Sequence, residues 1–110
     1  MPTQPNNGTQ TATLDTIHTL ATITTAGVYE LAVDTNAMVA GDTLVLRVND
    51  RVLTGGTSRL TYSATYANAQ ATFIKKSPPI VVLFNCTFTL EQQDGTGRAF
   101  PWAVNRIDAS

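Results

Sequence analysis

Imidazole, thiol and carboxylate groups are the side chains with which this chain could do chemistry, and they are few. His18 is the single histidine and Cys86 the single cysteine, and no sequence signature ties His18 to a nucleophile or a second ligand. A lone cysteine excludes an internal disulfide and a multi-cysteine metal site, and the apolar run around Cys86 makes it a small core residue. The eight carboxylates could supply an acid/base pair for glycosidic cleavage. Asp34, Asp42, Asp50 and Asp94, however, each stand in or beside a turn, where aspartate accepts backbone N–H groups.

Two loop motifs fail on their own chemistry. Gly55-Gly56-Thr57-Ser58 lacks the lysine of a phosphate loop and leads into a strand where that motif needs a helix. Asp34-Thr35-Asn36 opens like a calcium loop, but Met38 occupies a ligand position and no glycine follows it. Asn7-Gly8-Thr9 and Asn85-Cys86-Thr87 match the N-glycosylation pattern, yet no signal sequence stands ahead of them. Tyr29, Tyr62, Tyr66 and Trp102 could stack on a sugar, but each alternates onto the more apolar face of its segment, which reads as core. No metal and no cofactor is expected.

The elements that hold these residues read as strands. Val28 to Asp34 puts Tyr29, Leu31 and Val33 on one face, and Ile17 to Ile23 supplies a preceding strand. A helical turn capped by Asp34 fits Thr35 to Gly41. Thr43 to Leu53 alternates until Val52 and Leu53, where two adjacent apolar residues predict a bulge or a change of sheet. Thr54 to Thr57 turns the chain into an alternating segment around Leu60 to Tyr66. Ile80 to Glu91 keeps an apolar residue at every second position and reads as one strand roughly 40 Å long, starting after Pro78-Pro79 and buried on both faces at its start. Gln93 to Gly97 turns it into Ala99 to Ile107, where Pro101 demands an edge or a bulge.

At 110 residues, 43% apolar and 14% charged, the chain suits one domain with one core. The expected fold is all-β, an antiparallel β-sandwich or jelly roll of about six to eight strands, with an extended N-terminal arm at 1–13 and the sandwich at 14–110. A formal net charge of −1 without a basic face argues against nucleic acid, and no apolar run could span a membrane. The N-terminus has neither the basic nor the apolar part of a secretory signal, so the expected site of synthesis is a cytoplasm.

GVYELAVDTNAMVAGDTLVLRVNDRVLTGGTSRL, with GTGRAFPWAVNRI after it, resembles small virion proteins of tailed bacteriophages, the capsid decoration and minor capsid proteins. The resemblance spans about Leu14 to Ile107 and carries no catalytic or ligand residue. It implies a non-enzymatic decoration protein on the outside of the phage head, often a trimer, bound to the major capsid protein and joining neighbouring capsomers. A carbohydrate-binding or fibre- or tail-associated sandwich module is the alternative, and would show exposed coplanar aromatic rings. The residues expected to touch a partner are those of the arm, Pro2, Thr3, Gln4, Pro5, Asn6, Asn7, Thr9 and Gln10, with Lys75 and Lys76. The arm would add its main chain to a neighbour's sheet edge, and its removal is expected to leave the sandwich folded.

Overall fold

The computed structural model describes residues 3–53 and 55–107. Among them are nine strands and no helix: β1 (Thr3–Thr11), β2 (His18–Ile23), β3 (Gly27–Asp34), β4 (Thr43–Asp50), β5 (Arg59–Ala67), β6 (Ile74–Lys76), β7 (Ile80–Val82), β8 (Cys86–Asp94) and β9 (Ala99–Arg106). Their threonine, valine, isoleucine and tyrosine content suits a pleated, half-buried surface. One sheet runs β1-β9-β3-β6 with β7 also on β3, and the other runs β2-β8-β4-β5. Every pairing is antiparallel.

The pairings nest. β4 pairs with β5, β3 with β6 and β7, β2 with β8, and β1 with β9, in alternate sheets. One long hairpin is thus rolled up into two layers, which is the topology of a jelly roll. β6 and β7 are two pieces of one strand, since both lie along β3 and the register moves by one residue between them. The break falls at Ser77-Pro78-Pro79, where two prolines cannot donate to a ladder. Ser77 bridges it: its N–H donates to the Leu31 carbonyl, and its hydroxyl oxygen accepts the Leu31 N–H, both at 2.9 Å.

The core lies between the sheets. Tyr29, Leu31 and Val33 of β3 and Phe100 and Val104 of β9 face Leu44, Leu46 and Val48 of β4 and Cys86, Phe88 and Leu90 of β8. Of the residues that alternation assigns to the core, Tyr62, Phe84 and Trp102 are half-buried at its margin.

Four sequence expectations need correction. The arm is extended, but it is β1, paired with β9 of its own chain from Thr3↔Arg106 to Thr11↔Ala99. The long strand from Ile80 divides into β7 and β8, which belong to different sheets, and Val81 and Leu83 are exposed rather than buried. Val52 and Leu53 lie beyond the end of β4 in the β4–β5 connection, and the bulge sits at Val48/Asn49 instead. The segment after Asp34 makes a hydrogen-bonded turn, Met38 N–H to Thr35 carbonyl at 3.0 Å, and not a helix. Pro101 is tolerated for a local reason: the β3–β9 ladder ends at Val33↔Trp102, so at Pro101 the strand pairs only with β1.

Candidate interaction surface

Most of the side chains singled out for possible chemistry are engaged in holding the fold. Cys86 is fully buried, and burial, with Asp50 beside it, pushes its thiol up to about 12, far from a reactive thiolate. The His18 ring sits between β1 and β2. Its Nε2 accepts the Thr13 N–H at 3.0 Å, and its Nδ1 lies 3.2 Å from the Gln10 carboxamide. Asp42 is 1% exposed, and its Oδ2 accepts the Val39 N–H at 3.0 Å and Arg98 Nε at 2.9 Å. Burial pushes its carboxyl up, but the Val39 N–H and the Arg98 guanidinium outweigh that and hold it below the usual value. Glu91 is likewise lowered, first by the Arg47 guanidinium at 2.8 Å. Asp34 accepts the Asn36 N–H and Asp50 the Arg51 N–H, as turn aspartates do. Among the described residues no three His, Cys, Asp or Glu side chains converge as metal ligands.

The tyrosines and Trp102 turn toward the core, while Phe73 is exposed. Tyr29 is buried, with its hydroxyl donating to the Thr25 carbonyl at 2.9 Å. A Cβ on Gly8 would stand 3.6 Å from Trp102 Nε1, so the indole lies against β1 where glycine leaves room for it. Lys75 holds its ammonium 5.2 Å from the centre of the Tyr66 ring, joining β6 to β5 across the open side of the sandwich. Burial and then the hydrogen bond with Tyr62 push the Tyr66 phenol up to about 12. The exposed coplanar rings that a sugar platform would present are not found among the described residues.

Two apolar regions remain open to solvent. On the outer face of the first sheet a shallow depression of about 470 Å³ runs across β1, β9, β3 and β6. Ala32, Pro101 and Ala103 floor it, Ile74 closes one side, and Asn7, Thr9 and Asp34 supply the polar rim. Small floor residues let another backbone approach closely. The second region is the end of the jelly roll that carries the β4–β5 and β7–β8 connections. Val52 is 85% and Leu53 69% exposed there, beside a depression of about 190 Å³ shared with Asp50, Gly56, Thr57 and Arg59. Leu60, Val81 and Leu83 are also more than half exposed at that end, beyond what scattered surface residues require.

Of the residues expected to touch a partner, Asn7 and Thr9 do line the first depression. Gln10 reaches toward His18, Asn6 pairs with Val104, and Thr3, Gln4 and Pro5 belong to β1. Pro2 lies outside the described residues, as does Thr54 of the expected turn. The lysines separate: Lys75 faces Tyr66, while Lys76 stands 3.9 Å from Glu30. Reasoning from alternation missed Val52 and Leu53 as surface residues, although the clue was present. Two adjacent apolar residues of an extended segment, one residue ahead of Gly55-Gly56, cannot both face inward.

No family model, no curated protein and no solved structure matches the chain.

Proposed function

We propose that the chain is a non-enzymatic virion structural protein, a decoration protein that sits on the outside of a phage head and strengthens contacts between major capsid protein subunits. The observation that carries this reading is the rolled-up nesting of the strands, a jelly roll being the architecture of many viral capsid domains as well as of lectins and cupins. The phage resemblance of the segments quoted above supports it independently. Attachment runs through the exposed end at Val52, Leu53, Leu60, Val81 and Leu83, where apolar loop side chains supply contact area without requiring the fold to open. The near-neutral net charge fits short-range contact rather than long-range attraction.

The test is occupancy on purified heads of the encoding phage, stripped of this chain, using the wild-type protein and the double variant Val52→Asp with Leu53→Asp. Both substitutions fall on exposed loop positions and should leave the unfolding midpoint nearly unchanged. The variant should lose most of its occupancy, and wild-type occupancy should change little between low and moderate salt. Equal occupancy of the two proteins, or no binding by either, would remove this assignment.

A further inference from the structure

A jelly roll leaves four sheet edges, and three of them here carry devices that block pairing with another chain. β1 has Pro5 and a register shift between Thr3 and Asn6. β2 is six residues long with a shift between Thr19 and Ala21. The β6–β7 edge carries Lys75, Lys76, Pro78 and Pro79. β5 alone runs nine residues without proline or lysine, and its one irregularity, opposite Val48/Asn49, leaves Tyr62 to Ala67 regular.

The sequence of that regular stretch reads nearly the same in both directions. Tyr62-Ser63-Ala64-Thr65-Tyr66 is a palindrome in side-chain chemistry about Ala64. Its main chain is also set out for the purpose. Residues of an antiparallel ladder turn their N–H and C=O groups alternately toward the partner and away. The Asn68 N–H donates to the Asp42 carbonyl at 2.8 Å, which by the period of two turns Tyr66, Ala64 and Tyr62 toward β4 and leaves Thr65 and Ser63 facing outward. The outward Ala67 carbonyl is already taken by the Gln70 carboxamide at 2.8 Å, so the free groups are centred on Ala64.

We infer that two copies of the chain pair β5 with β5 antiparallel about a two-fold axis through Ala64, joining their four-stranded sheets into one of eight strands. Ser63 of one protomer then exchanges main-chain hydrogen bonds with Thr65 of its partner, and Tyr62 faces the other protomer's Tyr66 on the inner side. Hydroxyl-with-hydroxyl and ring-with-ring pairs are favourable across strands, and no charge opposes a like charge. The arrangement closes, because the far edge of each joined sheet is the blunted β2. The inference stands apart from the decoration reading, and its two-fold differs from the trimer which the phage resemblance implies.

Sedimentation equilibrium of the full chain, with no capsid present, should give twice the chain mass. Ala64→Cys should form a disulfide-linked dimer under mild oxidation, since the two sulfurs would meet on the axis, whereas Thr9→Cys on β1 should not. Ser63→Lys with Thr65→Lys places like charges opposite each other at exposed positions and should give a monomer with an unchanged melting temperature. A monomeric or trimeric wild-type chain would overturn the inference, as would a Ser63→Lys/Thr65→Lys protein that stays dimeric. Should the lysine variant fail to fold, the Ala64→Cys cross-link decides alone, and its absence counts against the two-fold.

Discussion

Arg98, in the connection between β8 and β9, donates from Nε to Oδ2 of Asp42 at 2.9 Å, and so ties the start of β4 to a turn more than fifty residues further on. The same turn is held from beneath by the buried Gln92. Its carboxamide donates to the Asp94 and Thr96 carbonyls at 3.0 and 2.8 Å and accepts the Arg98 N–H at 3.0 Å. Arg98→Ala should leave the Asp42 carboxylate buried without its cation and cost about 3 kcal/mol, the low end for a broken buried pair because Arg98 is partly exposed. A urea denaturation midpoint measures it. A change under about 0.5 kcal/mol would show that backbone N–H groups alone satisfy Asp42.

Acid should unfold the protein through its carboxylates. Asp42 and Glu91 are both held below their unfolded values, so the stability they contribute is complete above the ordinary carboxylate range and is lost as pH falls through the folded values. Urea midpoints should therefore be flat from about pH 7 to pH 5 and fall below about pH 4. In Asp42→Asn the acid limb should be shallower, with a lower midpoint at neutral pH.

Phe88 is fully buried on β8, with Ala21 of β2 on one side and Val48 of β4 on the other. Phe88→Ala should cost about 3–5 kcal/mol by loss of burial and the cavity left behind. Differential scanning calorimetry would register this as a large drop in Tm, and an unchanged Tm would mean that the core collapses around the site.

Ser77→Ala should cost about 1–3 kcal/mol although it deletes one oxygen, because the Leu31 N–H loses its acceptor inside the fold. Hydrogen exchange at Leu31 is the direct reading, and continued protection of that amide would mean that the main chain closes over the gap.

Deleting residues 2–11 should destabilise the sandwich, contrary to what the sequence predicts for a free arm. β1 pairs along nearly the whole of β9, and Gln10 meets the His18 ring. Trp102 would lose its cover at Gly8, so its fluorescence should shift to the red and the Tm should fall. A truncated protein that matches the full chain in both would return this segment to the status of an arm.

Local alternation was enough to find β3, β4, β5, β8 and β9, because a half-buried strand writes its inward face at every second residue, as Tyr29-Leu31-Val33 and Leu44-Leu46-Val48 do. β1 escaped that reading for a physical reason. Its contribution is main-chain pairing, and Thr3 to Thr11 offers no apolar side chain. The split between β7 and β8 was hidden as well. Both sheets look onto one core, so Val82 in one and Cys86 in the other keep the same parity while the chain crosses between them. Which strands neighbour which, and hence that β5 is an edge, depends on pairings across tens of residues that no local period records.

The rolled-up hairpin also fixes an order of events in time. The β4–β5 pair closes a loop of fewer than ten residues, whereas β1 cannot meet β9 until every strand between them has been made. On a ribosome, β1 has to wait for β9, with its partner edge absent and the inner layers already formed. Such distant closures make all-β proteins slow to fold, and the waiting intermediate has unpaired main chain in reach of its neighbours. A β1 made of Pro, Asn, Gln, Thr and Gly stays soluble through that delay, because it has little with which to stick to anything before β9 arrives.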